Sequence, residues 1–242
     1  MSQSNELRNL LRNRIVFLDG GTGTELQKRG MPSGVSTEEW AASNTEILAA
    51  MHREYIEAGA DIILTCTFGG TEPKLGSSER VIELNRKLSD AAIAAAEGKA
   101  LIAASIGPTG ELIHPSGRIT WKNAYSFFTN QARAVADTGI DIFFLETFSD
   151  PRELKAAVLA VRDNVPDAFI SAQMTFGSGG LSLSGTSPTA FTVLAGQLPV
   201  DALGANCGNG PEELLPIVQK RGECFKKGAA VEPNAGLPIN GN

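Results

Sequence analysis

Three cysteines are all that 242 residues supply, at positions 66, 207 and 224. An odd number at wide spacing excludes a disulfide framework and suits a reducing compartment. Basic charge is also short: 21 Lys and Arg against 27 Asp and Glu leave a formal net charge of −6. The two signs are mixed along the chain, so the clustered basic footprint of a nucleic-acid binder is missing. No apolar run approaches the roughly 20 residues that cross a bilayer. The opening stretch "MSQSNELRNLLRNR" has neither the apolar core nor the small-residue cleavage site of a signal peptide. These absences predict a soluble, cytoplasmic protein with no nucleic-acid or membrane partner. With 42% hydrophobic residues, the chain can fill one core, and residues 1–242 read as a single domain.

What is present is an alternation of short apolar, β-branched runs with longer stretches of helical period, the pattern of a parallel α/β fold. Seven runs read as strands: "RIVFLD" (14–19), "ADIILTCT" (60–67), "ALIAAS" (100–105), "IDIFFLE" (140–146), "AFISAQMT" (168–175), "VDALGAN" (200–206) and "GAAVEP" (228–233). Helical segments are predicted between them at 44–59, 79–97, 122–138, 151–164, 188–197 and 211–226, with Ser149 or Asp150 capping the one that opens at Pro151. An open doubly wound sheet would place a glycine-rich phosphate loop after the first strand, and "DGGTGTELQ" lacks the G-x-G-x-x-G spacing. A (β/α)₈ TIM-type barrel instead gathers polar residues at the C-terminal end of every strand. Such residues stand there: Asp19-Gly20, Thr65-Cys66-Thr67, Ser105, Glu146-Thr147, Gln173, Asn206-Cys207-Gly208 and Glu232-Pro233-Asn234.

The segments "FLDGGTGTELQKRG", "AGADIILTCTFGG", "ASIGPTGELIHPSG", "FFLETFSD", "MTFGSGGLSLSGTSP", "GANCGNGPEELLP" and "EPNAGLP", in order from about residue 14 to 238, resemble the homocysteine S-methyltransferase family. That family includes the homocysteine-binding module of cobalamin-dependent methionine synthase and the betaine enzymes. The resemblance implies a zinc-dependent barrel that passes a methyl group to the thiol of homocysteine and yields methionine. A thiolate is the nucleophile in such a reaction, and zinc ligation generates it near neutral pH. By the same resemblance Cys207 is a zinc ligand, Asp19 and Glu146 hold the substrate ammonium, and the Gly20 backbone with Thr65 contacts its carboxylate. The methyl donor stays open, and a methylcobalamin-type donor would arrive on a partner corrinoid protein.

Cys66 stands where many relatives carry Asn and reads as a small buried residue. Cys224 falls within a helical segment and matches no family ligand. Relatives continue past "PNAGLP" to an eighth strand with a double-cysteine motif that supplies two more zinc ligands, whereas this sequence ends at "PNAGLPINGN". Seven strands of eight, one motif cysteine and a weakly held metal are therefore expected, together with an incomplete module that needs a complementing C-terminal segment or dimerises. A second function from another class is a catalytically silent homocysteine-binding scaffold. A third, an unrelated phosphate-using barrel, lacks a phosphate clamp in "NCGNG" and "EPNAG".

Overall fold

The computed structural model describes residues 2–177, 179–208, 210–224 and 227–235, and side chains in the last helix as far as Gln219. Four helices precede the first ladder: α1 (Gln3–Asn13), α2 (Thr22–Lys28), α3 (Thr37–Ser43) and α4 (Thr45–Glu57). Then follow β1 (Ile62–Leu64), α5 (Glu72–Leu75), α6 (Ser78–Ala96), β2 (Leu101–Ile106), α7 (Trp121–Ala136), β3 (Ile142–Phe148) and α8 (Pro151–Asn164). The chain continues through β4 (Phe169–Met174), α9 (Pro188–Ala195), β5 (Ala202–Asn206), α10 (Pro211–Cys224) and β6 (Gly228–Glu232). Helices α7 and α8 start where their caps dictate. Asp150 accepts from the Arg152 N–H ahead of Pro151, and Thr120 and Asn123 form a reciprocal capping box on α7.

The six strands form one parallel sheet in the order β1-β2-β3-β4-β5-β6. Alternation along each strand separates two cores. Outward residues such as Ile102, Phe143, Leu145, Ile170, Met174 and Leu203 pack with Phe128, Val158, Val161 and Phe191 of the helical layer. The inward set joins Ile62, Leu64, Leu101, Ala103, Ile142, Phe144, Phe169, Ala202 and Ala230 in one cluster with Leu7 of α1. That shared inner cluster is what curls the sheet into a half-barrel.

At the N-terminal ends of the strands, α1 lies across the inner cluster and plugs it. Leu7 is 1% exposed. The Ser4 N–H donates to Asp141 at 2.9 Å, the Arg8 Nε donates to Asp201 at 2.9 Å, and Arg8 also reaches the Ala168 carbonyl at 2.8 Å. The Gln3 amide oxygen accepts from the Ile102 N–H at 2.7 Å. The charged opening of the chain is therefore the floor of the half-barrel.

The expected strand at 14–19 is corrected. It is reduced to a single bridge, Leu18 to Ile62, because only a few backbone bonds tie it to the β1 edge: Asp61 and Ile62 N–H to the Phe17 carbonyl, and Asp19 N–H to the Ile62 carbonyl. Arg14 and the Phe17 N–H are fastened to the Asp61 carboxylate instead. Without a second neighbour among the described residues, Ile15 and Phe17 stay 76% and 62% exposed. Among the described residues six strands, not seven, make up the sheet. Cys224 lies at the end of α10, and its side chain is outside the described residues.

Candidate active site

The inward positions change character along each strand. Leu101, Ala103, Ser105 on β2; Ile142, Phe144, Glu146 on β3; Phe169, Ser171, Gln173 on β4; Ala202, Gly204, Asn206 on β5; and Gly228, Ala230, Glu232 on β6 each run from apolar or small to polar. The period of two that buries the first members carries the last into the mouth of the half-barrel at the C-terminal ends. The register places Asn206 opposite Glu232, and Gln173 beside Gly204.

Three carboxylates meet there. One Asp19 oxygen accepts from the Leu64 N–H at 3.0 Å, while the other is buried with no partner among the described residues. Glu146 accepts from the Ser105 hydroxyl at 2.6 Å, and Glu232 from the Gln173 amide at 2.6 Å. Burial pushes the Glu146 carboxyl up to about 8, assisted by the charge of Glu232 and opposed by the Ser105 bond. Burial likewise raises Glu232 against the Gln173 bond. Asp19 lies well above the carboxylate range because it is buried and because Glu146 and Glu232 lie near it, although Leu64 opposes the shift. Among the described residues no lysine or arginine forms an ion pair with these three.

Cys207 follows Asn206 at φ 54, with its N–H on the Glu232 carbonyl at 3.0 Å. Its sulfur lies 3.3 Å from the Asn206 amide nitrogen and 3.8 Å from the Thr147 hydroxyl. Burial raises the thiol, with Glu146 and Glu232 adding to the shift and Thr147 and Asn206 opposing it. Thr147 itself sits at φ 65, a region a β-branched residue occupies only when its surroundings hold it there. They do: the Thr147 N–H donates to the Asn206 side-chain oxygen at 2.8 Å and its hydroxyl accepts from the Asn206 amide at 2.7 Å. The register shift between Leu145 and Phe148 marks the same distortion.

Asp19, Glu146 and Cys207 thus act on one mouth. Gly20 is exposed beside Asp19, and a Cβ there would meet the Tyr55 hydroxyl at 2.8 Å. Thr65 is placed differently. It is 1% exposed, accepts from the Ser105 N–H at 3.2 Å and lies 2.6 Å from the Thr67 hydroxyl, which itself donates to the Ser105 carbonyl. Since the Thr67 hydrogen is committed, Thr65 donates to Thr67 and ties the ends of β1 and β2 together. Cys66 turns outward into a cluster with Leu26, Met31, Leu48 and Val81, where burial pushes its thiol up. Ser105, Gln173 and Glu232 were visible in sequence as polar strand ends. Counting by two from the apolar members of each strand would have aimed them at the mouth.

A homocysteine S-methyltransferase family model matches residues 16–242. The chain belongs to the homocysteine S-methyltransferase family. It is 30% identical over 257 residues to a methionine synthase of Mycobacterium tuberculosis and 29% identical over 258 residues to that of Mycobacterium leprae. Each alignment covers 98% of this chain and 21% of the relative, so the chain spans about a fifth of the length of these curated relatives. Among solved structures, the homocysteine methyltransferase MmuM of Escherichia coli in its oxidized form superposes with a TM-score of 0.85 at 25% identity, covering 95% of this chain and 86% of that one. The metallated form gives 0.84 at 24% identity, covering 95% and 87%, a likeness of fold.

The zinc that the family implies finds an incomplete donor set. Among the described residues no group of three or more His, Cys, Asp and Glu could hold a metal ion, and Cys207 is the one described thiol at the mouth. A catalytic zinc needs three protein ligands. The described residues do not fit it.

Proposed function

We propose that this chain binds homocysteine in the barrel mouth and transfers a methyl group to its thiol, giving methionine. The observation that carries this is the cup of three carboxylates, Glu146 buried and Asp19 and Glu232 half-buried, with no ion pair to any of them among the described residues, beside a thiol on a strained strand end, in a chain of this family. Uncompensated buried carboxylates favour a ligand that brings positive charge, and an α-ammonium does so. Asp19 and Glu146 bind that ammonium. The Gly20 backbone at the exposed rim takes the substrate carboxylate. A contact from Thr65 requires its hydrogen bond to Thr67 to be exchanged. Cys207 lies at the end of the pocket that receives the substrate sulfur, held by Asn206 and Thr147. Free thiols at 66 and 207 suit a cytoplasmic setting. A corrinoid methyl donor belongs to this reading through the family alone.

Calorimetric titration of the 242-residue chain with L-homocysteine tests the reading: one site per chain is expected, and no binding would overturn it. Zinc added before dialysis is expected to leave far less than one ion per chain, because one thiolate does not supply the affinity of several ligands held together; metal analysis reads this directly. The short donor set also favours a second reading, a homocysteine-binding scaffold without activity. Methionine formation from homocysteine and a methyl donor separates the two.

A further inference from the structure

On the homocysteine reading, the mouth holds one more acidic group than the ammonium pair accounts for. Glu232 stands on the inward face of β6, in register with Asn206. It is fastened like the other two. Leu64 N–H holds one oxygen of Asp19, the Ser105 hydroxyl one oxygen of Glu146, and the Gln173 amide one oxygen of Glu232. Each carboxylate keeps a second oxygen with no hydrogen bond among the described residues. Of these second oxygens Asp19 Oδ1 is buried, and one further acceptor in this cup, Gln173 Oε1, is likewise buried and unpartnered among the described residues, with Gln173 0% exposed. Buried acceptors left without donors are costly, so the cup is built for a ligand rich in N–H groups. A primary ammonium offers three donors and no acceptor.

We propose that Glu232, positioned by Gln173, is a third carboxylate contact for the substrate and makes the site selective for a primary ammonium. This rests on the homocysteine reading and adds a residue to it. The backbone carbonyl of Glu232 also accepts the Cys207 N–H at 3.0 Å, so one residue spans the ammonium end and the thiol end of the pocket.

The test compares two ligands on the full chain: L-homocysteine, and 4-mercaptobutanoate, which has the same thiol and carboxylate but no ammonium. Glu232→Gln is expected to weaken homocysteine binding by about tenfold or more, the range of one charge-assisted hydrogen bond, and to leave 4-mercaptobutanoate unchanged. Glu232→Asp keeps the charge and shortens the reach, so the preference for homocysteine should fall by a smaller factor; this variant carries the test if the first does not fold. Equal losses for both ligands would show a merely structural role and overturn the proposal. An unaltered homocysteine affinity in both variants would overturn it as well. If the wild-type chain binds no homocysteine, the functional reading falls, and this inference with it.

Discussion

Glu146→Gln is expected to cost about 10- to 100-fold in homocysteine affinity while making the unliganded protein more stable above pH 8. Both effects come from one carboxyl. Its native pKa is pushed to about 8 from an ordinary 4.5, so the folded state holds this proton more tightly than the unfolded chain. Stability therefore declines as pH rises from about 4.5 to about 8, and above that the full cost of an ionised, buried carboxylate beside Glu232 is carried. Glutamine does not ionise and keeps the bond from Ser105, so that decline disappears. By the size of the shift the gap at pH 9 amounts to about a few kcal/mol in favour of the variant. An ammonium in the cup relieves the same cost, which is why binding suffers where stability gains. Urea unfolding at pH 5, 7 and 9 and calorimetry at pH 8 read the two sides. Parallel stability profiles, or an unaltered affinity, would show that Glu146 is not under this strain.

Gly204→Val is expected to prevent folding or lower the melting temperature too far for a soluble native chain to accumulate. A Cβ at residue 204 would lie 1.9 Å from the Ala230 carbonyl oxygen and 2.8 Å from its carbon. Backbone is what it strikes, so no rotamer change relieves it, and β5 and β6 would have to separate. The five-residue register between them carries Glu232 into the site, so any folded remnant should also lose homocysteine binding. Expression with thermal melting by circular dichroism decides this. A variant melting within a few degrees of wild type would mean that the β5–β6 approach is looser than described.

The six long helical stretches at 44–59, 79–97, 122–138, 151–164, 188–197 and 211–226 were readable in sequence from their helical period. Pro151 behind Asp150 and the Thr120–Asn123 box acted locally and needed no tertiary information. The segment 14–19 misled for the opposite reason. Its alternation is that of a strand, but a strand needs a continuous ladder with a neighbour, and Asp61 takes the Phe17 N–H that would have extended the one it has. At the mouth, Asp19, Glu146 and Cys207 were legible through motif resemblance. Glu232 and Gln173 required the parity of the inner face, which becomes useful only once the strand limits are known. Thr65 was legible as a strand end, whereas the bonds of its hydroxyl to Thr67 and Ser105 depend on how β1 and β2 meet and were not. Helix α1 carried no family motif. Its buried residues are Ser4 and Leu7 alone, too few to announce a packed helix.

Because every strand lies beside its immediate predecessor in the chain, the sheet can grow by stepwise addition of βα units, although each parallel pairing is a non-local contact that must first close the loop through its helix. Helix α1 breaks that order. Its Ser4–Asp141 and Arg8–Asp201 bonds join positions 137 and 193 residues apart, so α1 has to wait for partners that are made long after it. The floor of the barrel is consequently laid after the walls. Until then the inner apolar cluster is open at its N-terminal end, and the newborn chain presents Ile62, Ile142 and Phe169 to whatever apolar surface is nearby.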